Sequence, residues 1–168
     1  RSRPIESIVA EVNSLAQSGV KEVTLIAQDT TYYGREQKKD EQLSSLLRQL
    51  VQISGIGWIR TLYGHPSHIT HEFLALMASE EKICSYIDVP VQHIHDDILK
   101  KMGRQTSQAQ IYDLIAKIRS TVPKVTLRTS LIVGFPGETE EHFNALMQFV
   151  EQAQFDHMGV FPYSAEEG

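Results

Sequence analysis

The chain has 168 residues, one cysteine, 16 Lys plus Arg against 21 Asp plus Glu, and a net charge of −5. That length fits about one domain with a substantial core. The charge gives this segment no electrostatic footprint for tight nucleic-acid binding, and a single cysteine excludes an internal disulfide or a cluster held by several cysteines of this chain. No apolar run approaches the roughly 20 residues that span a bilayer, and no apolar core of a signal peptide follows Arg1-Ser2-Arg3-Pro4. An intracellular, soluble domain is expected.

Hydrophobic periodicity alternates helix and strand from end to end. Ile5, Ile8, Val9, Val12, Leu15 and Ala16 share a helical face behind Pro4, and Ser18-Gly19 stops that helix. Val23 to Ala27 is a short β-rich run. The charged stretch Arg35 to Glu41 reads as a solvated loop. Leu43, Leu46, Leu47, Leu50 and Val51 form a second helical stripe, closed by Gly55 and Gly57. Trp58 to Tyr63 is a strand, and the segment around Phe73, Leu74 and Met77 is a helix. Tyr86 to Val91 is a strand whose regular ladder should end at Pro90. A short helix near 96–102 precedes a longer one carrying Ile111, Leu114, Ile115 and Ile118. Val125 to Val133 is the longest strand. Thr139 caps a helix with Glu140 and Glu141 in its first turn and Phe143, Leu146, Met147 and Val150 as the expected buried stripe. His157 to Tyr163 is the last strand.

Strands alternating with helices predict a parallel sheet. Strand starts near 22, 58, 86, 125 and 157 lie 36, 28, 39 and 32 residues apart, so eight such units need about 270 residues, close to a full (β/α)8 barrel. Five units predict an incomplete parallel barrel or an open doubly wound sheet.

In parallel α/β folds ligands bind beyond the carboxyl ends of the strands. Those ends here read Ala27-Gln28-Asp29-Thr30, Gly64-His65-Pro66, Pro90-Val91-Gln92-His93, Gly134-Phe135-Pro136-Gly137-Glu138-Thr139 and Phe161-Pro162-Tyr163-Ser164. All five carry hydrogen-bonding groups, Gly or Pro, which favours one shared site. The long strand places Thr126, Arg128, Ser130 and Ile132 on one face. A guanidinium in a central strand needs a partner. Arg128 either pairs with Asp88 or Asp29, or meets a ligand carboxylate in a polar barrel interior. Gly134 and Gly137 allow close backbone approach at a helix start, without the Gly-Lys-Ser/Thr of a P-loop. His65, His68 and His71, and the pair His93 and His95, do not match a zinc-protease pattern. They read as ordinary surface histidines, His93 alone being placed in the site. No metal ligand and no catalytic residue is expected in this chain. Cys84 reads as a buried small hydrophobe.

Four segments resemble one family closely: Ile26-Ala27-Gln28-Asp29-Thr30-Thr31, Tyr86 to His93, Leu127 to Glu140, and Gly159 to Ser164. They are similar, in that order, to the radical-SAM core of the methylthiotransferases. Ala27-Gln28-Asp29 and Gln92-His93-Ile94 resemble the branch that modifies an aspartate of a small-subunit ribosomal protein. The tRNA-adenosine branch typically reads Gly-Gln-Asn and Gln-Ser-Gly at these places.

The resemblance implies a fold of six βα units of which this chain holds five, the first strand missing. It implies a single core-domain fragment over residues 1–168. The cluster loop, the N-terminal methylthiotransferase domain and the C-terminal TRAM domain lie outside it. It implies S-adenosylmethionine as cofactor and [4Fe-4S] clusters in the full-length enzyme only, their Cys-x3-Cys-x2-Cys ligands not being in this chain. The fragment is then inactive by itself. By the same resemblance Gln28 and Asp29 lie near the ligand's amino group, where an amide carbonyl and a carboxylate suit an ammonium. Gln92 and His93 lie near the ribose. Arg128 suits the carboxylate end, and Ser130 adds a hydroxyl. Ile132, Gly134, Phe135, Pro136 and Gly137 lie near the adenine, flanked by Phe161 and Tyr163. The match departs at Ser130, where the family motif has glycine, and at Glu138, one position late. The implied setting is cytoplasmic, with a ribosomal protein as substrate, no membrane, and RNA contact only through the absent TRAM domain. The edge of the first strand is open to association. The rival expectations are a tRNA-adenosine methylthiotransferase and a non-catalytic α/β binding module.

Overall fold

The structure, a computed structural model, describes residues 1–37 and 43–165. Of the expected solvated loop, Arg35–Gln37 form a 3-10 turn, and residues 38–41 lie outside the described residues. The elements follow in the order α1 (Ile5–Gln17), β1 (Glu22–Leu25), α2 (Leu43–Leu50), β2 (Trp58–Thr61), α3 (His71–Ser79), β3 (Tyr86–Asp88), α4 (Asp96–Lys101), α5 (Gln108–Thr121), β4 (Thr126–Val133), α6 (Glu140–Ala153) and β5 (His157–Pro162). No described helix is long and apolar enough to cross a membrane.

Every strand pair is parallel. β1 pairs with β2, and β4 lies between β3 and β5. The two ladders join at an irregular seam. Ile59 N–H donates to Lys82 O at 2.7 Å, Cys84 N–H to Ile59 O at 2.9 Å, and Gly64 N–H to Asp88 O at 2.9 Å. The result is one wall in the order β1-β2-β3-β4-β5, with no closed barrel among the described residues.

The strand pleat sorts side chains between two faces. Val23, Ile59, Ile87, Leu127 and Leu131 are buried in one core with Leu46, Leu47, Leu50, Leu74, Ile111 and Ile118 of the helices. The opposite face of β4 carries Thr126, Arg128, Ser130 and Ile132, all part-exposed. Register places Tyr86 beside Thr126 and Asp88 beside Arg128. This face is charged and paired: Glu22 to Arg60 at 2.8 Å, Arg60 over the Tyr86 ring at 5.1 Å, and Asp88 to Arg128 at 2.8 Å.

Pro90 ends the β3 ladder as its missing N–H requires. Thr129 repairs the gap: its fully buried hydroxyl donates to Val89 O at 2.8 Å and accepts from Val91 N–H at 3.3 Å. Pairing resumes at Gln92, whose N–H reaches Ser130 O at 2.9 Å and whose carbonyl accepts from Ile132 N–H at 2.8 Å. The buried position of Thr129 on the apolar face of β4 is thereby explained.

Two packing expectations need correction. The buried residues of α6 are Leu146, Phe149 and Ala153, while Phe143 and Met147 are exposed. Phe149 turns the helix by packing edge-on against Tyr112 and Phe155, at ring separations of 5.3 and 5.6 Å. Cys84 is half-buried rather than a core residue. It lies within electrostatic reach of Arg60 and Glu22, and burial pushes its thiol up.

Candidate cofactor site at the strand ends

The carboxyl ends of the strands open onto a cavity of about 410 Å³ lined by Gln28, Asp29, Tyr63, Gly64, His65, Pro90, Gln92, Arg104, Ser130, Ile132 and Phe161. The backbone is unusual here. Tyr63 (φ 59°) and Gln92 (φ 71°) are non-glycine residues in the left-handed region, each at the end of a strand that feeds the cavity. Beside Tyr63, a Cβ on Gly64 would approach Asp88 O and the Thr31 methyl to 3.3 Å each, so glycine allows β2 and β3 to close up at this point.

The β1 end is held by its own network. Thr31 Oγ1 donates to Asp29 Oδ1 at 2.5 Å, His65 N–H reaches the same oxygen at 3.4 Å, and His68 Nδ1 lies 2.5 Å from Oδ2. Burial alone would raise the Asp29 pKa. The Thr31 and His68 hydrogen bonds and the His68 charge outweigh it and hold the carboxyl below its ordinary value. His65 Nδ1 accepts from Ser67 N–H at 3.2 Å, so the neutral ring carries its proton on Nε2. Burial, Arg104 and His68 lower the His65 pKa. His65 lines the cavity and His68 holds Asp29 from behind it, so neither is an ordinary surface group.

Arg128 shares a face of β4 with Ser130, two residues before it. Its Nη1 donates to Asp88 Oδ1 at 2.8 Å and to Ser130 Oγ at 3.3 Å. Asp88 is only 2% exposed, against 31% for Arg128. Of the two sequence readings of Arg128, the structure displays the Asp88 pair.

Arg104 is the cation that sequence reading missed. Gly103 (φ 70°) ends α4 in the left-handed conformation. Gly103 N–H donates to Lys100 O at 3.1 Å and Arg104 N–H to Leu99 O at 2.8 Å, a Schellman turn that folds the chain back toward the cavity. Among the described residues the Arg104 guanidinium has no hydrogen-bond or ion-pair partner, and burial is the one cause lowering its pKa. An unpaired, half-buried guanidinium is a standing demand for an anion. The readable signal was a short amphipathic helix ended by Gly103 with arginine next.

Six of the sequence-predicted residues therefore meet in the cavity: Gln28, Asp29, Gln92, Ser130, Ile132 and Phe161. His93 does not reach it. It is fully buried, with Nδ1 accepting from His95 N–H at 3.0 Å and Nε2 unpaired, 3.8 Å from Glu138 Oε1. Gly134 (φ 73°) and Gly137 (φ 85°) shape the loop after β4, which Glu138 closes by accepting from Phe135 N–H at 3.0 Å. Glu138 is thus a turn staple. Phe135 packs edge-on to Tyr163 at 5.1 Å, beside the cavity and not in its lining. Pro136 is an exposed residue of the same loop. Gly64, His65 and Pro90 of the expected strand-end segments also line the cavity, and Tyr63 is the one lining residue besides Arg104 that the sequence reading missed.

A site at the strand ends with one unpaired cation, amide and hydroxyl groups, and Ile132 and Phe161 as apolar walls suits a ligand with a carboxylate and a flat ring. Comparison with known proteins gives this geometry its family. The model of the Radical SAM superfamily matches residues 1–150. The chain belongs to the radical SAM superfamily. Over all 168 residues it is 56% identical to the ribosomal protein uS12 methylthiotransferase RimO of Pelobacter propionicus, covering 37% of that protein. It is 52% identical over the same 168 residues to RimO of Geobacter sulfurreducens, covering 38%. The chain thus spans little more than a third of these relatives. Among solved structures, the radical S-adenosylmethionine methyltransferase TsrM of Kitasatospora setae matches with a TM-score of 0.75 at 20% identity, covering 95% of this chain and 31% of that one. Coproporphyrinogen III oxidase HemN of Escherichia coli matches with 0.66 at 19% identity, covering 95% and 37%. Both support the partial (β/α) barrel of the radical SAM fold.

Proposed function

We propose that this chain is the core of a methylthiotransferase that modifies an aspartate of small-subunit ribosomal protein uS12 in the cytoplasm. The observation that carries this reading is the 56% identity to a RimO protein across every residue of the chain. In this reading the chain supplies five of six barrel units. The groove of about 800 Å³ between α1 and the free edge of β1, with Ile26 just past the strand 66% exposed, supports this reading. RNA contact belongs to a TRAM domain outside the chain.

The cavity fits S-adenosylmethionine. Arg104 holds the ligand carboxylate with its unpaired guanidinium, the bond type worth most in such a site. Asp29 and Gln28 accept from the ammonium, with Asp29 kept anionic by Thr31 and His68. Gln92 and Ser130 bind hydroxyls, with Gln92 aimed by its left-handed backbone. Ile132 and Phe161, register neighbours on β4 and β5, would offer one apolar wall to the adenine, and Gly134 to Gly137 with Tyr163 would bound the outer rim. His93 and Arg128 act from behind: His93 fixes the loop after β3, and Arg128 satisfies Asp88 while orienting Ser130. Bound S-adenosylmethionine supplies the methyl group and the radical chemistry. An iron–sulfur cluster does not fit this chain's donors, because Cys84 stands alone and does not line the cavity. The cluster ligands come from outside it, and the 168 residues alone are inactive.

The test is to reconstitute the full-length enzyme with iron and sulfide under anaerobic conditions. It is then incubated with S-adenosylmethionine and either uS12 or tRNA. A methylthio group on a uS12 aspartate is the expected product. Modification of tRNA adenosine alone would replace this reading with the sister activity. The absence of both products would return the chain to the class of non-catalytic binding modules.

A further inference from the structure

We propose that His95, Asp97 and His142 form a site for a divalent transition metal, separate from the strand-end cavity. The three residues come from two elements. His95 caps α4, Asp97 is in its first turn, and His142 is in the first turn of α6. One ligand atom from each lies within 4.8 Å of the other two. The two imidazole rings stand 4.2 Å apart and tilted by 57°. Asp97, 73% exposed at its side chain, has its carboxylate 4.0 Å from His95 Nδ1 and is free to swing in.

Two imidazoles and a carboxylate select zinc, cobalt or nickel over calcium or magnesium, which take all-oxygen shells. Three protein ligands leave a fourth position open to water. The surroundings favour a cation. Asp96, Glu140 and Glu141 stand in the same first turns and offset the positive ends of the two helices. His93, fully buried, fixes the His95 backbone through a 3.0 Å bond from His95 N–H.

The protein-only hydrogen bonds define what loading exchanges. His95 Nδ1 accepts from Asp97 N–H at 3.3 Å and His142 Nδ1 accepts from Thr139 N–H at 3.1 Å. Each neutral ring therefore holds its proton on Nε2. Coordination through Nε2 moves that proton to Nδ1, so the metal trades two long cap bonds for two metal–nitrogen bonds. The ion would pin the loop after β3 to the start of α6.

The inference is independent of the enzymatic reading and is tested on the 168-residue chain. Zinc is titrated by calorimetry and cobalt by its ligand-field absorption, with amide shifts followed by NMR. One saturable equivalent is expected, with the largest shifts at the Asp97 and Thr139 amides. His142→Gln and Asp97→Asn should each weaken binding at least about tenfold, the loss that even an outer-shell partner typically causes. His71→Gln, an exposed histidine outside the cluster, should not. Because Asp97 is exposed, Asp97→Asn keeps the test valid if His142→Gln misfolds. No saturable binding, or unchanged affinity in Asp97→Asn, overturns the proposal.

Discussion

Two arginines separate a paired charge from an unpaired one. Arg128 neutralises a carboxylate that is almost fully buried. Arg128→Ala leaves Asp88 buried and unpaired, which costs roughly 3–5 kcal/mol. Urea denaturation should show that loss in the midpoint, and a change of less than about 1 kcal/mol would contradict the pairing. Among the described residues Arg104 has no partner to abandon, so Arg104→Ala should leave the urea midpoint nearly unchanged. Asp29 gives a pH signature. Its folded pKa lies below the ordinary 3.8, so its contribution is complete above that value and is lost as pH falls through the folded pKa. The stability advantage of the wild type over Asp29→Asn should therefore hold down to about pH 4 and shrink as pH falls further. An advantage that grows below about pH 4 would contradict the network. At this scale the sequence was half legible. Arg128 announced itself as a charge in a central strand. Arg104 did not, because a Schellman turn after a six-residue helix aims it, and no strand-end pattern encodes that turn.

Among the elements, β3 and β4 carry the least regular and most telling contact. Pro90 removes one ladder donor, and the Thr129 hydroxyl spans the gap. Thr129→Val keeps the shape and leaves Val89 O and Val91 N–H without that partner, at a cost of about 1–3 kcal/mol. Thr129→Ser retains the hydroxyl and should recover most of that loss in thermal or urea unfolding. Equal stability of the two variants would show that the hydroxyl is not bridging the gap. The strand run and the break at Pro90 were readable from residue type and period. The repair was not, because it joins residues about forty positions apart. The α6 stripe failed for a similar reason: Phe149 finds its edge-on partners on α5 and in the turn before β5, and these rotate Phe143 and Met147 outward.

The whole molecule is a wall of five parallel strands with its helices on one face and its chemistry at one end. The alternation of periods predicted that arrangement, and the strand-end segments predicted most of the cavity. The depth of the cavity was not predictable. It depends on left-handed Tyr63 and Gln92 and on an arginine delivered by a helix end. The open edge of β1, with Ile26 exposed, predicts that the 168-residue chain self-associates. Sedimentation should show concentration-dependent oligomers that Ile26→Lys suppresses. A strictly monomeric wild type at high concentration would contradict this.

The central claim is that the strand-end cavity holds S-adenosylmethionine by its carboxylate through Arg104. The most direct measurement is calorimetric titration of S-adenosylmethionine into the full-length, cluster-reconstituted enzyme and its Arg104→Ala variant. Loss of a charge-assisted hydrogen bond, about 1.5–3 kcal/mol, predicts at least about tenfold weaker binding in a variant of unchanged stability. Equal affinity in the two proteins would contradict the account.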